Sequence, residues 1–263
     1  MLFSSFGTAI GGVGRCQLKY CIMRAKWMIL VHLKRRDKKE EQQERKTMKV
    51  MAVNGSPRKK WNTATLLEQA LEGAAAQGAE TRLIHLYDLD FKGCISCFSC
   101  KMRNGESYGK CAVQDDLTPI YAEIREADAL ILGSPIYFGD VSGEMRSFLE
   151  RLLFPYLVYA APPQTLFPRK IHTAWIYTMN SPEENARQMG YDQLFAGNER
   201  FMRLIFGHAQ SMMSYDTCQF ADYAKVVADR FDSAAKEKRR REVFPQDRRR
   251  AFDLGAAICS ARD

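Results

Sequence analysis

The stretch Lys49-Val50-Met51-Ala52-Val53-Asn54-Gly55-Ser56-Pro57-Arg58-Lys59-Lys60-Trp61-Asn62-Thr63 joins an apolar run to a turn and then to a helix-like segment. Val50 to Val53 read as a buried strand. Gly55 and Pro57 mark a sharp turn, and Ser56, Asn62 and Thr63 set hydroxyl and amide groups beside the N–H groups that open a helix. Such a helix end attracts anions. The spacing matches neither Gly-x-x-x-x-Gly-Lys-Ser/Thr nor Gly-x-Gly-x-x-Gly, which disfavours a nucleoside triphosphate and a dinucleotide in the usual fingerprint. The plainer reading is an ordinary strand-to-helix turn capped by Asn or Thr.

Outward from this stretch, short apolar runs alternate with longer amphipathic ones, the pattern of parallel strands joined by crossover helices. Strands are expected at 49–53, 81–86, 129–133, 172–179 and 210–215. Helices are expected at 64–77, 117–125, 143–153, 183–206 and 221–241, and the basic stretch 236–250 is expected to be solvated. With a phosphate loop after the first strand and a second Gly/Pro-rich loop after the third, the expected sheet order is 2-1-3-4-5. That is the flavodoxin-like α/β three-layer fold, with its ligand at the carboxyl ends of strands one and three.

The second loop is Ser134-Pro135-Ile136-Tyr137-Phe138-Gly139-Asp140-Val141-Ser142-Gly143. Pro135 and Gly139 shape the backbone, Tyr137 and Phe138 offer aromatic surface, and the N–H groups between them suit the polar edge of a flat ring. The alternative is that both aromatics belong to the core. Paired with the first loop, this one narrows the ligand to flavin mononucleotide, FMN. Together the two loops resemble the NADPH-dependent FMN reductase and iron-sulfur flavoprotein branch of the flavodoxin-like superfamily, over about residues 48–223.

By that resemblance Ser56, Arg58, Asn62 and Thr63 hold the FMN phosphate, and Pro135, Ile136, Tyr137, Phe138 and Gly139 line the ribityl chain and ring. Thr178 and Asn180 approach the flavin from the end of the fourth strand. Trp61 stands where many members have glycine. The segment Tyr215 to Tyr223 resembles a closing element of structural role, with Phe220 and Tyr223 under the C-terminal helix or at a subunit contact. The implied activity is FMN-dependent NAD(P)H oxidoreduction toward a small acceptor such as a quinone or a flavin. The flavin carries the chemistry, so no catalytic side chain is assigned. The implied assembly is a homodimer or homotetramer.

Cys94, Cys97, Cys100 and Cys111 form a second constellation, with two residues between the first three and ten before the last. Four thiolates suit a 4Fe-4S cluster or a tetrahedral zinc ion. Free or redox-active thiols are the third reading. The following residues, 101–110, are expected to pass over the flavin pocket, and Asp116 is expected to cap the next helix. With the cluster, the alternative function is an iron-sulfur flavoprotein electron carrier; a non-catalytic flavin-binding module is a further alternative. The other cysteines, Cys16, Cys21, Cys218 and Cys259, have no ligand spacing.

The chain has 263 residues, 46% hydrophobic, and a formal charge of +8. Residues 1–47 hold eleven Lys/Arg and four Asp/Glu, so residues 48–263 are close to neutral. The excess lies in a stretch without groove-reading or aromatic pattern, which speaks against nucleic-acid binding. Residues 1–47 are expected to form a basic N-terminal extension outside the core domain, 48–263, with Met48 as the natural start; a basic membrane-surface arm is the competing reading. The apolar run Trp27 to Leu33 is too short to span a bilayer, and the start lacks a basic region before its apolar residues. Eight cysteines without a secretory signal point to thiols in a reducing cytoplasm.

Overall fold

The computed structural model describes residues 47–260. The basic extension up to residue 46 lies outside them. Strand β1 (Lys49–Asn54) is flanked by β2 (Glu80–His85) and β3 (Ala129–Tyr137), and the sheet continues through β7 (Ile171–Thr178) to β8 (Gly207–Ser214). All four of these pairings are parallel. The five-strand order is therefore the expected 2-1-3-4-5, and the fold is flavodoxin-like. A sixth, two-residue strand, β4 (Asp140–Val141), pairs antiparallel with the end of β3, and β5 (Leu157–Val158) and β6 (Gln164–Thr165) form a separate small hairpin.

Alternate residues of the central strands enter opposite cores. Met51, Val53, Leu130, Leu132, Trp175 and Tyr177 face one side, packing with α2 (Leu117–Glu126), α3 (Gly143–Leu153) and α5 (Tyr191–Phe206). Val50, Ala52, Ala129, Ile131, Ala174 and Ile176 face the other, against α1 (Asn62–Ala76) and α7 (Phe244–Ser260). A sheet buried on both faces needs continuous apolar runs, which is why β1 and β3 stand out in the sequence.

Three expectations change. The helix expected over 183–206 is two helices, α4 (Glu183–Gln188) and α5, because Gly190 takes a left-handed φ of 77° between them. The helix expected over 221–241 starts only at Ser233, giving α6 (Ser233–Glu242), where the Asp232 side chain accepts from Ala235 N. The stretch 236–250 is not simply solvated: Lys236 and Asp247 are buried, and α7 packs along α1. That crossing is backbone-close, since a Cβ on Gly255 would stand 1.7 Å from Ala70 O and one on Gly73 2.0 Å from Phe252 O.

The second loop also starts later than expected. β3 runs through Tyr137 and returns in β4 through Phe138 and Gly139, with φ values of 50° and 84°. Two successive left-handed residues match the twist of a two-residue hairpin. No helix among the described residues is long and apolar enough to cross a membrane.

Candidate functional site

The loop after β1 is built by its own side chains. Buried Asn54 accepts from Ser56 N through Oδ1 at 3.0 Å, and its Nδ2 lies 2.9 Å from His85 Nδ1. Ser56 Oγ in turn accepts from Arg58 N at 3.2 Å. The loop then touches the start of α3. Gly55 N donates to Gly133 O, and Ser142 Oγ donates to Gly55 O at 2.5 Å. A Cβ on Gly55 would stand 2.8 Å from Met145 Cβ, so the close approach requires glycine.

At the amino end of α1 the capping position is Trp61, which makes no side-chain cap bond, and the first turn holds no acid. The opening N–H groups of a helix have no carbonyl of their own helix to bond. Asn62 and Thr63 are buried beside them, and Asn62 Nδ2 and Thr63 Oγ1 are engaged with Cys218 O and Thr178 Oγ1. An uncapped, electropositive helix end beside Arg58 and Ser56 suits a phosphate.

A cleft of about 380 Å³ opens here, at the carboxyl ends of β1, β3 and β7. Ser56, Arg58, Asn62, Thr63, Pro135, Ile136, Tyr137, Thr178 and Asn180 all line it. Phe138 and Gly139 do not: they form the hairpin tip, where the Phe138 side chain is fully exposed. Burial lowers the Arg58 pKa, with nearby Arg240 adding to the effect and Tyr137 opposing it; burial raises that of Tyr137.

A fourth wall comes from Thr217 to Ala221, which the sequence presented as a closing element. Cys218 O accepts from Trp61 Nε1 at 3.0 Å and from Asn62 Nδ2 at 2.8 Å, and Gln219 O accepts from Arg58 at 2.5 Å. Phe220 lines the cleft and meets Tyr223 edge-on, 5.3 Å between ring centres. The recognising atoms are mostly main-chain carbonyls, which no residue pattern advertises. Trp61 is also accounted for: its indole N–H ties this wall to the loop after β1.

The four clustered cysteines rim a separate small hollow with Glu150 and Arg151. Cys94 and Cys97 are exposed, Cys100 is buried and Cys111 lies between. The donor chemistry suits a metal cluster, but among the described residues no three Cys, His, Asp or Glu converge into a ligand set. The loop does not pass over the cleft either. Lys101 Nζ bonds the carbonyls of Phe154, Pro155 and Leu157 beyond α3, which holds the segment there, and none of residues 101–110 lines the cleft.

Buried Arg151 closes this loop on itself. It donates to Lys92 O at 2.9 Å, Cys111 Sγ at 3.3 Å, Val113 O at 3.1 Å and both carboxylate oxygens of Asp115. Asp115, rather than Asp116, also accepts from the first amide of α2, Leu117 N, at 3.1 Å. Asp116 instead accepts from Asp90 N.

Residues 48–173 match the family described as NADPH-dependent FMN reductase. An iron-sulfur flavoprotein of Methanocaldococcus jannaschii is 42% identical over 104 residues, 40% of this chain and 51% of that protein. One from Archaeoglobus fulgidus is 38% identical over 104 residues, 40% of this chain and 48% of its own. The chain thus spans about half the length of these curated relatives. Among solved structures, an NAD(P)H:quinone oxidoreductase from Methanothermobacter marburgensis superposes with a TM-score of 0.61 at 16% identity, over 81% of this chain and 100% of that one. An azoreductase from Bacillus anthracis gives 0.57 at 12%, over 80% and 100%. At those identities the structures speak to the fold. The matched segment carries the Asn54–Thr63 loop, the β3–β4 hairpin and all four clustered cysteines, and over it this chain is similar to the NADPH-dependent FMN reductase and iron-sulfur flavoprotein family.

Proposed function

We propose that the protein is an FMN-dependent NAD(P)H oxidoreductase that passes electrons from a nicotinamide to a small acceptor such as a quinone or a flavin. The observation that carries this reading is the uncapped amino end of α1, opening into a cleft walled by the β3–β4 hairpin and the end of β7. Bound there, FMN supplies the redox chemistry by accepting a hydride and releasing electrons.

The chain's own part is to bind and orient. The α1 amides, Ser56, Asn62, Thr63 and Arg58 hold the phosphate. Pro135, Ile136 and Tyr137 offer a wall for the ring, with Thr178 and Asn180 opposite the loop. Half-exposed Tyr137 leaves one side open to a nicotinamide and then to the acceptor, which alternate in one place. Ping-pong kinetics follow. Purified protein is expected to be yellow and to bleach when NADPH or NADH is added without oxygen; bound flavin that neither reduces defeats the proposal.

The spacing of the four cysteines along one loop, together with the names of the curated relatives, favours a second reading. In it the protein is an electron carrier with a 4Fe-4S cluster at Cys94, Cys97, Cys100 and Cys111. Iron and acid-labile sulfide in anaerobically purified protein separate the two readings, since the carrier needs both. A homodimer or homotetramer working in the cytoplasm is the setting we infer, and light scattering on a sizing column tests the assembly.

A further inference from the structure

Two guanidinium groups stack on the ring of Trp61 at the mouth of the cleft, Arg58 at 3.9 Å and Arg240 at 4.4 Å from the ring centre. Gathering two like charges on one indole is unfavourable unless an anion offsets them. Among the described residues neither pairs with a carboxylate. Arg58 is steadied by Gln219 O, and the indole by Cys218 O, so the stack is held by main-chain carbonyls of the cleft wall.

Arg240 reaches the stack because α6 is bolted to that wall. One turn before it, buried Lys236 donates to Asn180 O at 2.8 Å, to Asn180 Oδ1 at 2.5 Å and to Asp216. Cys218 Sγ lies 3.1 Å from Lys236 O. A spacing of four residues sets Lys236 and Arg240 on one helix face. The anchor is satisfied within the protein, whereas exposed Arg240, which meets the Cys218 side chain and the indole, keeps its charge without a carboxylate partner among the described residues.

We propose that Arg58 and Arg240, braced on Trp61, bind a phosphomonoester dianion, which makes the C-terminal helix α6 part of the ligand site. This rests on the cofactor reading above. Two ligands carry that group: FMN has its 5′-phosphate and riboflavin does not, and NADPH has its 2′-phosphate and NADH does not. Either phosphate can neutralise the pair by charge-assisted hydrogen bonds, bidentate where the geometry allows.

The test compares Arg240→Gln and Arg240→Lys with the unaltered protein, reading dissociation constants for FMN and riboflavin by flavin fluorescence and KM for NADPH and NADH. Arg240→Gln is expected to weaken one phosphorylated ligand about tenfold relative to its unphosphorylated partner, with Arg240→Lys retaining most of the affinity. The pair that changes identifies the phosphate. Equal weakening of both members, the signature of a merely structural contact, overturns the proposal, as does no change in either ratio. If the unaltered protein binds no flavin, the cofactor reading fails by itself. Inorganic phosphate titrated against tryptophan emission then decides: a saturable response lost in Arg240→Gln supports the anion site, and no response overturns it.

Discussion

The hydroxyl groups of Thr63 and Thr178 lie 2.7 Å apart in a buried contact that joins the first turn of α1 to the last residue of β7. The bond holds the α1 end of the cleft at a set distance from the wall at the end of β7. Thr63→Val leaves the Thr178 hydroxyl buried without this partner and is expected to cost about 1–2 kcal/mol. The double variant with Thr178→Val is expected to cost less than the sum of the singles, by about 1 kcal/mol. Urea unfolding of the four proteins measures this, and simple additivity would show that the bond contributes nothing.

The crossing of α1 and α7 leaves no room for a methyl group at Gly255. Because the obstructing atom is backbone, a side-chain rotation cannot relieve the clash. Gly255→Ala is expected to separate the helices and destabilise the protein by about 3 kcal/mol. Gly143→Ala, where nothing lies within 4 Å, is the control. Thermal unfolding of the two distinguishes close packing from a general loss of glycine.

Arg151 is 1% exposed and holds both ends of the cysteine loop. Burial opposes its charge, and the bonds it donates to Asp115 and Cys111 outweigh that, so its pKa lies above the usual arginine value. Arg151→Met leaves Asp115 without its cation and is expected to cost about 3 kcal/mol. It is also expected to expose Lys101, Arg103 and Lys110 to trypsin. Unchanged cleavage within 92–115 would mean that other contacts hold the loop.

Hydrogen bonds from Ser99, chiefly from its backbone, lower the pKa of exposed Cys97, while burial raises those of Cys100 and Cys218. A lowered value means more thiolate at about pH 7, and the thiolate is the reacting form. In metal-free protein iodoacetamide is therefore expected to label Cys97 before Cys100 and Cys218, and its labelling rate, which increases with pH, is expected to make that increase in a lower pH range than theirs. Peptide mass spectrometry over a pH series reads the order. Labelling of Cys100 first would contradict it.

Much of the architecture was legible because its signals are local. β1 and β3 are buried on both faces and read as unbroken apolar runs. The helix expected over 143–153 coincides with α3, whose start is capped by Ser142 Oγ accepting from Met145 N. The C-terminal helices were misjudged for a complementary reason. Their windows are dominated by arginine, while α7 buries a short, small set of residues, Ala251, Gly255, Ile258 and Cys259, against α1 more than 150 positions earlier.

The turn from β1 into α1, Asn54 to Thr63, could be read from residue types, since its turn, its helix end and its polar side chains are neighbours in the chain. So could the spacing of Cys94, Cys97, Cys100 and Cys111, though not their placement apart from the cleft. What only the tertiary structure decided is the fourth wall and the second arginine. Cys218 O and Gln219 O recognise the loop through atoms that every residue possesses, and Arg240 meets Trp61 only because buried Lys236 docks α6 against Asn180 and Asp216. Sequence determines which groups a segment carries, whereas the meeting of groups from distant segments depends on how the helices pack.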